Sequence, residues 1–312
     1  MVDAVPVGVI LLNWNGTADT LAALESLWQS QPRPRRVVVV DNGSAQESVQ
    51  ALREWVEAHD NAWARVLELS TNAGFPGGNN AGLADVAQDS SIDFFLLLNN
   101  DATVAPDFFT EIMDGVAARP DGSLYTSTIY EADRKTLWYA GGTEHRHRAL
   151  VLHSVKKLGG APADTEFISG CVMLIPRRTY AALGGLAEVY FPLYWEDVEY
   201  SFRARAAVGP LVYAPRAVAY HKVGATVGGG DVTPRVAFVQ NHHRAMFVRR
   251  NFRGSDRAIA LGYLLVTKPA RFVKEVLKGN AKVGAATLSG ALRGMLLTDP
   301  ERGLPPKALA RR

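Results

Sequence analysis

The sequence predicts an α/β fold built on a mixed central sheet and closed at its C-terminal end by helices. Three observations carry that reading. Apolar runs of strand length over 7–13, 37–40, 66–70 and 94–98 alternate with helix-length segments joined by short loops. Runs that short and that continuously apolar suit strands buried on both faces, as in a parallel sheet. After Leu124 the rhythm breaks into short strands interrupted by Gly141-Gly142 and Gly159-Gly160, which suits antiparallel or mixed additions. From Thr233 the chain reads as helical to its end, punctuated at Gly254, Gly279 and Pro300.

The elements follow in order. The first strand ends at Asn13, and Asn15-Gly16-Thr17 turns the chain, with Thr17 the expected cap of a helix through Leu21, Leu24 and Leu27. Pro32 and Pro34 break the chain before the second strand. Asp41-Asn42-Gly43-Ser44 is the next turn, with Ser44 the expected cap of a helix reaching His59. The third strand runs into Asn72-Ala73-Gly74-Phe75-Pro76-Gly77-Gly78, and a helix is expected over 79–88. Another starts after Pro106, a good first-turn residue. Later come expected helices over 177–183 and 196–207, and a last strand over 211–219 running on to Tyr220-His221.

A chain of 312 residues holds one large domain with an appendage. The single cysteine excludes an internal disulfide and a thiol-based zinc site, and Cys171, inside the apolar run 167–175, reads as a small buried residue. Residues 1–3 carry no basic flank, so the start reads as direct entry into the first strand and not as a signal peptide. The net charge of +3 hides an asymmetry: residues 1–248 hold 20 Lys and Arg against 27 Asp and Glu, and residues 249–312 hold 14 against 4. The expected organisation is a domain over 1–250, with a nucleotide-binding half over 5–120 and an acceptor half over 121–250. A basic helical region over 251–312 follows.

Chemistry gathers at strand ends. Ligands of open α/β sheets bind at the carboxyl ends of strands, and the fourth strand ends in Asn99-Asn100-Asp101. Neither a dinucleotide glycine fingerprint nor a Walker loop follows the first strand, so a diphosphate would need a metal rather than a glycine cradle. Asp101 is the obvious ligand for Mg²⁺ or Mn²⁺, and Asn99, two residues away, points the same way on an extended chain. Asp41, at the second strand end, can accept from a ribose hydroxyl or a base imide, or simply close a turn onto Ser44. The glycines and amides from Gly74 to Asn80 allow close approach of backbone to ligand. Glu196 and Asp197 open a helix, where acids suit the macrodipole and where one can also serve as general base. His221 would supply the second protein ligand that Asn99 does not.

Taken together and in order, the opening Val-Ile-Leu-Leu-Asn-Trp-Asn strand, Val-Val-Asp-Asn-Gly-Ser, Asn72-Ala73-Gly74-Phe75, Leu98-Asn99-Asn100-Asp101, Ser169-Gly170 and Trp195-Glu196-Asp197 resemble the family 2 inverting glycosyltransferases of the GT-A fold. The look is that of bacterial rhamnosyltransferases and related galactofuranosyltransferases, and it spans 5–250. The resemblance implies that Asn13, Asp41 and Asn72 line the donor pocket with Gly74, Asn99, Asn100 and Asp101. It implies that Asp101 and His221 bind the metal, that Asp197 is the base, and that Glu196 supports it. It also implies a nucleotide-diphosphate sugar donor, TDP-L-rhamnose being favoured, and a glycan or lipid-linked glycan acceptor.

Between 261 and 277 apolar positions sit at helical spacing with Lys268, Arg271, Lys274 and Lys278 among them, but no run reaches membrane-spanning length. Residues 253–312 therefore read either as a basic amphipathic surface for an anionic leaflet or as packing for the domain or a second subunit. The expected location is cytoplasmic, at the inner face of the membrane if that surface docks, and a homodimer is the alternative. Nucleic acid is not expected as a partner, since no reading motif accompanies the basic tail. Rival readings are a transferase for another UDP- or TDP-sugar and a non-catalytic carbohydrate-binding relative. A nucleotidyltransferase is disfavoured, because Asn13-Trp14-Asn15-Gly16-Thr17 lacks a basic Gly-rich loop.

Overall fold

The computed structural model describes residues 4–157, 159–222, 232–296 and 298–303. The first half alternates as the hydrophobic pattern requires: β1 (Ala4–Asn13), α1 (Thr17–Gln29), β2 (Arg33–Asp41), α2 (Gln46–His59), β3 (Ala64–Glu68), α3 (Gly74–Val86) and β4 (Phe94–Asn99). Next come β5 (Ala102–Val104), α4 (Phe108–Ala118), β6 (Leu124–Glu131), β7 (Leu137–Tyr139), β8 (Gly142–His145), β9 (Leu150–His153), β10 (Ala163–Thr165) and β11 (Val172–Pro176). The chain finishes with α5 (Arg177–Leu183), α6 (Glu196–Ala207), β12 (Leu211–His221), α7 (Pro234–Asn251), α8 (Gly254–Leu277) and α9 (Ala281–Leu296).

One sheet runs β10-β12-β6-β11-β4-β1-β2-β3. The strands β4, β1, β2 and β3 are mutually parallel, and β11 reverses direction beside β4. The parallel half is buried on both faces for the reason its composition suggests. Val9 and Leu11 pack under α1 and α2, whereas Ile10 packs with Val38, Val40 and Leu83 under α3. The mixed half closes onto the site. Short β5 pairs antiparallel with the end of β12 and sets His221 against Ala102, directly after Asp101. A register shift between Ala214 and Val218 absorbs Pro215 in β12.

Several local expectations are corrected by side chains distant in sequence. Thr17 is the first helical residue rather than the cap, and its hydroxyl donates to Ser48. Ser44 does not cap α2; its Oγ accepts from the Asn15 amide and the Asn13 side chain. The third strand stops at Glu68, and α3 begins five residues early, at Gly74. Within 167–171 only Phe167 forms a β-bridge, to Gly142, and the chain turns at Gly170–Cys171, so β11 starts only at Val172. Finally, α7, α8 and α9 pack on one another around Ala245, Leu264, Ala291 and Met295. Among the described residues no helix is long and apolar enough to cross a membrane.

Candidate active site

The carboxyl ends of β1 and β2 are tied together by a saturated amide–carboxylate network. Asn13 is fully buried; its Nδ2 donates to Asp41 Oδ2 at 2.8 Å, and its Oδ1 accepts from the Gly16 amide at 3.1 Å and Thr20 Oγ1 at 2.9 Å. Asp41 is 1% exposed, and its other oxygen accepts from the Ser44 amide at 2.9 Å. The turn role weighed for Asp41 is therefore realised, with each of its carboxylate oxygens accepting one hydrogen bond from within the fold. Asn100 also faces inward, donating to Thr20 Oγ1 at 3.0 Å and buttressing α1.

What lies open is the next layer. Asn72 Oδ1 accepts from the Gly74 amide at 2.8 Å and from Asn42 at 3.2 Å, which bends the chain into α3. Gly74 has φ +74°, and a Cβ there would meet the Phe191 ring at 2.6 Å, so only glycine fits. Asn99 is partly exposed, and its side chain has no hydrogen-bond partner among the described residues.

Beyond Asn99, His221 Nε2 lies 3.1 Å from Asp101 Oδ1 and both side chains are nearly buried. Burial works against a charge on His221, but the Cys171 sulfur and the Asp101 carboxylate outweigh it and push its pKa up to about 10. The Cys171 thiol is itself pushed up by burial and stays neutral, so Asp101 is the partner that holds the imidazolium. Trp138 packs edge-on to His221 and to His153, at 4.6 Å each. Once His221 gives up the proton it shares with Asp101, the two atoms about 3 Å apart match adjacent ligands on an octahedral divalent ion, whose remaining positions water and substrate phosphates ordinarily fill. The residues fit Mg²⁺ or Mn²⁺ in that sense, although His221 Nδ1 is buried without the hydrogen-bond partner usual behind a ligating histidine. Among the described residues no group of three or more His, Cys, Asp or Glu forms a ligand cluster.

The acidic pair stands one turn away. Asp197 Oδ2 accepts from the Gly170 amide at 3.0 Å, and Gly170 directly precedes the Cys171 that touches His221. The adjacent residues Gly170 and Cys171 therefore link the Asp197 carboxylate to His221. Burial raises the pKa of Asp197, partly offset by the Gly170 and Val198 amides. Glu196, buried and with Oε2 unpartnered, is raised well above the ordinary carboxyl value by burial and then by the Asp197 charge. Tyr194 and Trp195, at φ +76° and +79°, present this pair from a strained turn. His243 steadies that turn, its Nδ1 lying 3.1 Å from both the Leu193 and Tyr194 carbonyls.

Asp197 opens onto a cleft of about 320 Å³ walled by β9, Phe167, the segment from Tyr194 to Val198, and Gln240, Asn241 and Arg244 of α7. Sequence reasoning missed the α7 wall, since one polar helical face looks like another, and missed His153 and Trp138. A second recess, beside Glu111 and Asp114, holds only Arg216 in ion pairs with those two acids.

Residues 9–179 match the family described as Glycosyl transferase family 2. The chain belongs to that family. This family 2 glycosyltransferase is 26% identical over 275 residues to an N-acetylglucosaminyl-diphospho-decaprenol L-rhamnosyltransferase of Mycobacterium tuberculosis, covering 80% of this chain and 84% of that protein. It is 23% identical over 207 residues to the low-salt glycan biosynthesis hexosyltransferase Agl10 of Haloferax volcanii, covering 63% and 61%. A solved mannosyltransferase from Pyrobaculum calidifontis, in complex with GDP-Man and Mn²⁺, superposes with a TM-score of 0.60 at 14% identity, over 95% of this chain and 89% of that one. Staphylococcus aureus TarS 1–349 with UDP-GlcNAc also superposes at 0.60, with 15% identity over 93% and 81%. The fold is thus that of the GT-A glycosyltransferases.

Proposed function

We propose that the protein transfers a sugar, with inversion, from a nucleotide-diphosphate donor to a hydroxyl of a glycan or lipid-linked glycan. The observation that carries this reading is the Gly170–Cys171 turn, which joins the Asp197 carboxylate to the Asp101–His221 pair. In the reaction Asp197 takes the acceptor hydroxyl proton while that oxygen bonds to the anomeric carbon and the diphosphate leaves from the opposite face. Burial and then the Asp197 charge raise the Glu196 pKa, which disfavours a second negative charge beside the base. Asn99, Asp101 and His221 face the leaving group. A divalent ion held there would neutralise the departing diphosphate. Asn72 and Gly74 shape the donor wall, with Asn13, Asp41 and Asn100 acting as the scaffold behind it. TDP-L-rhamnose is the favoured donor, its sugar being the one that the mycobacterial relative, an L-rhamnosyltransferase, transfers. A panel of nucleotide sugars with Mg²⁺ or Mn²⁺ tests this: slow hydrolysis is expected to be fastest with TDP-L-rhamnose, and no binding or turnover of any donor would sink the transferase reading.

Peripheral membrane contact belongs to the same proposal. Ile259, Val266, Val273 and Leu277 form one exposed apolar stripe along α8, at 48%, 74%, 54% and 82% exposure. Lys274 and Lys278 flank it. Because α9 supports α7, substitution tests this better than truncation. Val266→Glu with Val273→Glu is expected to abolish flotation on anionic vesicles, and flotation equal to the parent protein refutes the contact.

A further inference from the structure

We propose that Arg244, in the cleft wall, and Lys268, on the inner face of α8, form an anion subsite that takes a phosphate or diphosphate group carried by the acceptor. The inference deepens the transferase reading and rests on it. Arg244 lines the same cleft as Asp197. One of its terminal nitrogens donates to the Arg148 carbonyl at 2.7 Å, while its Nε is buried with no partner. That carbonyl belongs to the basic turn at 146–148, which packs against α8.

Lys268 belongs to α8 but not to its exposed face. Helical spacing puts it opposite Val266 and Val273, and it is only 8% exposed. Nearby acids are taken: Asp256 pairs with Arg146 and His147, and Glu275 with Arg271. Neither Arg244 nor Lys268 makes an ion pair among the described residues. Burial, then the charges of Arg244 and Arg271, lowers the Lys268 pKa to about 7. A lysine nine-tenths buried without an ion-pair partner, on the α8 face that packs towards α7 and the 146–148 turn, is a costly arrangement for a purely structural role. It suits a multiply charged oxyanion that bridges both cations.

Inorganic pyrophosphate, in EDTA so that no divalent ion contributes, is the probe for the full-length protein. Wild type is expected to bind it, and Lys268→Met to bind at least about tenfold more weakly, the loss of a charge-assisted contact. As the variant removes an uncompensated buried charge, it is expected to melt no lower than wild type. Independently of any variant, pyrophosphate is expected to slow acetylation of Lys268 in wild type, read by mass spectrometry. Unweakened binding by Lys268→Met, or acetylation unaffected by pyrophosphate, overturns the subsite. Flotation on phosphatidylglycerol vesicles separates the sources. Equal flotation of Lys268→Met and wild type leaves the anion with the acceptor, and lost flotation gives it to a headgroup and overturns the acceptor assignment. Absence of donor hydrolysis by wild type would refute the transferase reading while leaving pyrophosphate binding to stand or fall by itself.

Discussion

The two halves of the candidate site are wired differently. On the donor side the polar groups of β1 and β2 are paired with one another, so that Asn13 and Asp41 hold strand ends and turns. On the acceptor side Glu196 Oε2 and Arg244 Nε are buried without partners. Buried polar groups are nearly always paired, and exceptions gather where a site is completed by something else. The contrast separates a rigid wall, formed before any ligand arrives, from a wall whose electrostatics are left open.

The sharpest way to break that comparison is Asp197→Asn. Removing a general base typically costs on the order of 10²–10⁴ in rate, and here the loss is expected in kcat for transfer with donor affinity little changed. Near-parental turnover would put the base elsewhere. The same residue sets the acid limb of the pH profile. Its pKa is raised, so as pH falls it protonates earlier than an ordinary carboxylate near 3.9 and can no longer accept the proton. The acid limb is therefore expected above that value.

Asn13→Ala attacks the saturated wall. It strips partners from Asp41, Thr20 and the Gly16 amide at a fully buried position. The expected cost is about 3 kcal/mol of stability, read by denaturant unfolding. A cost below about 0.5 kcal/mol, the range of an uncoupled surface change, would show that the network is not holding the strand ends.

Glu196→Gln gives the smallest effect and the opposite sign. A carboxyl whose folded pKa is raised contributes stability below its unfolded value and loses it as pH climbs through the folded value. Glu196 is such a group. The variant is thus expected to match the parent near pH 4 and to melt progressively higher than it above that pH. A melting difference that shrinks as pH rises would contradict a neutral Glu196.

Much of this molecule was legible before any coordinates. Continuous apolar runs of strand length dictated the parallel half, and Asp101, Glu196 and Asp197 stood out because acids at the ends of such elements have no core to join. Membership of α7 in the cleft was not legible, because Gln240, Asn241 and Arg244 carry no motif and only packing turns them inward.

The sequence by itself determined which segments become strands and helices, and which strand ends carry carboxylates, because those properties depend on near neighbours and their periodicity. Only the tertiary structure decided what each polar group does. Asn13 meets Asp41 from 28 residues away, and Lys268, one of the basic positions of an amphipathic pattern open to membrane or packing, is turned inward. Burial and partnership are properties of contacts made across the fold, and no local stretch of chain encodes them.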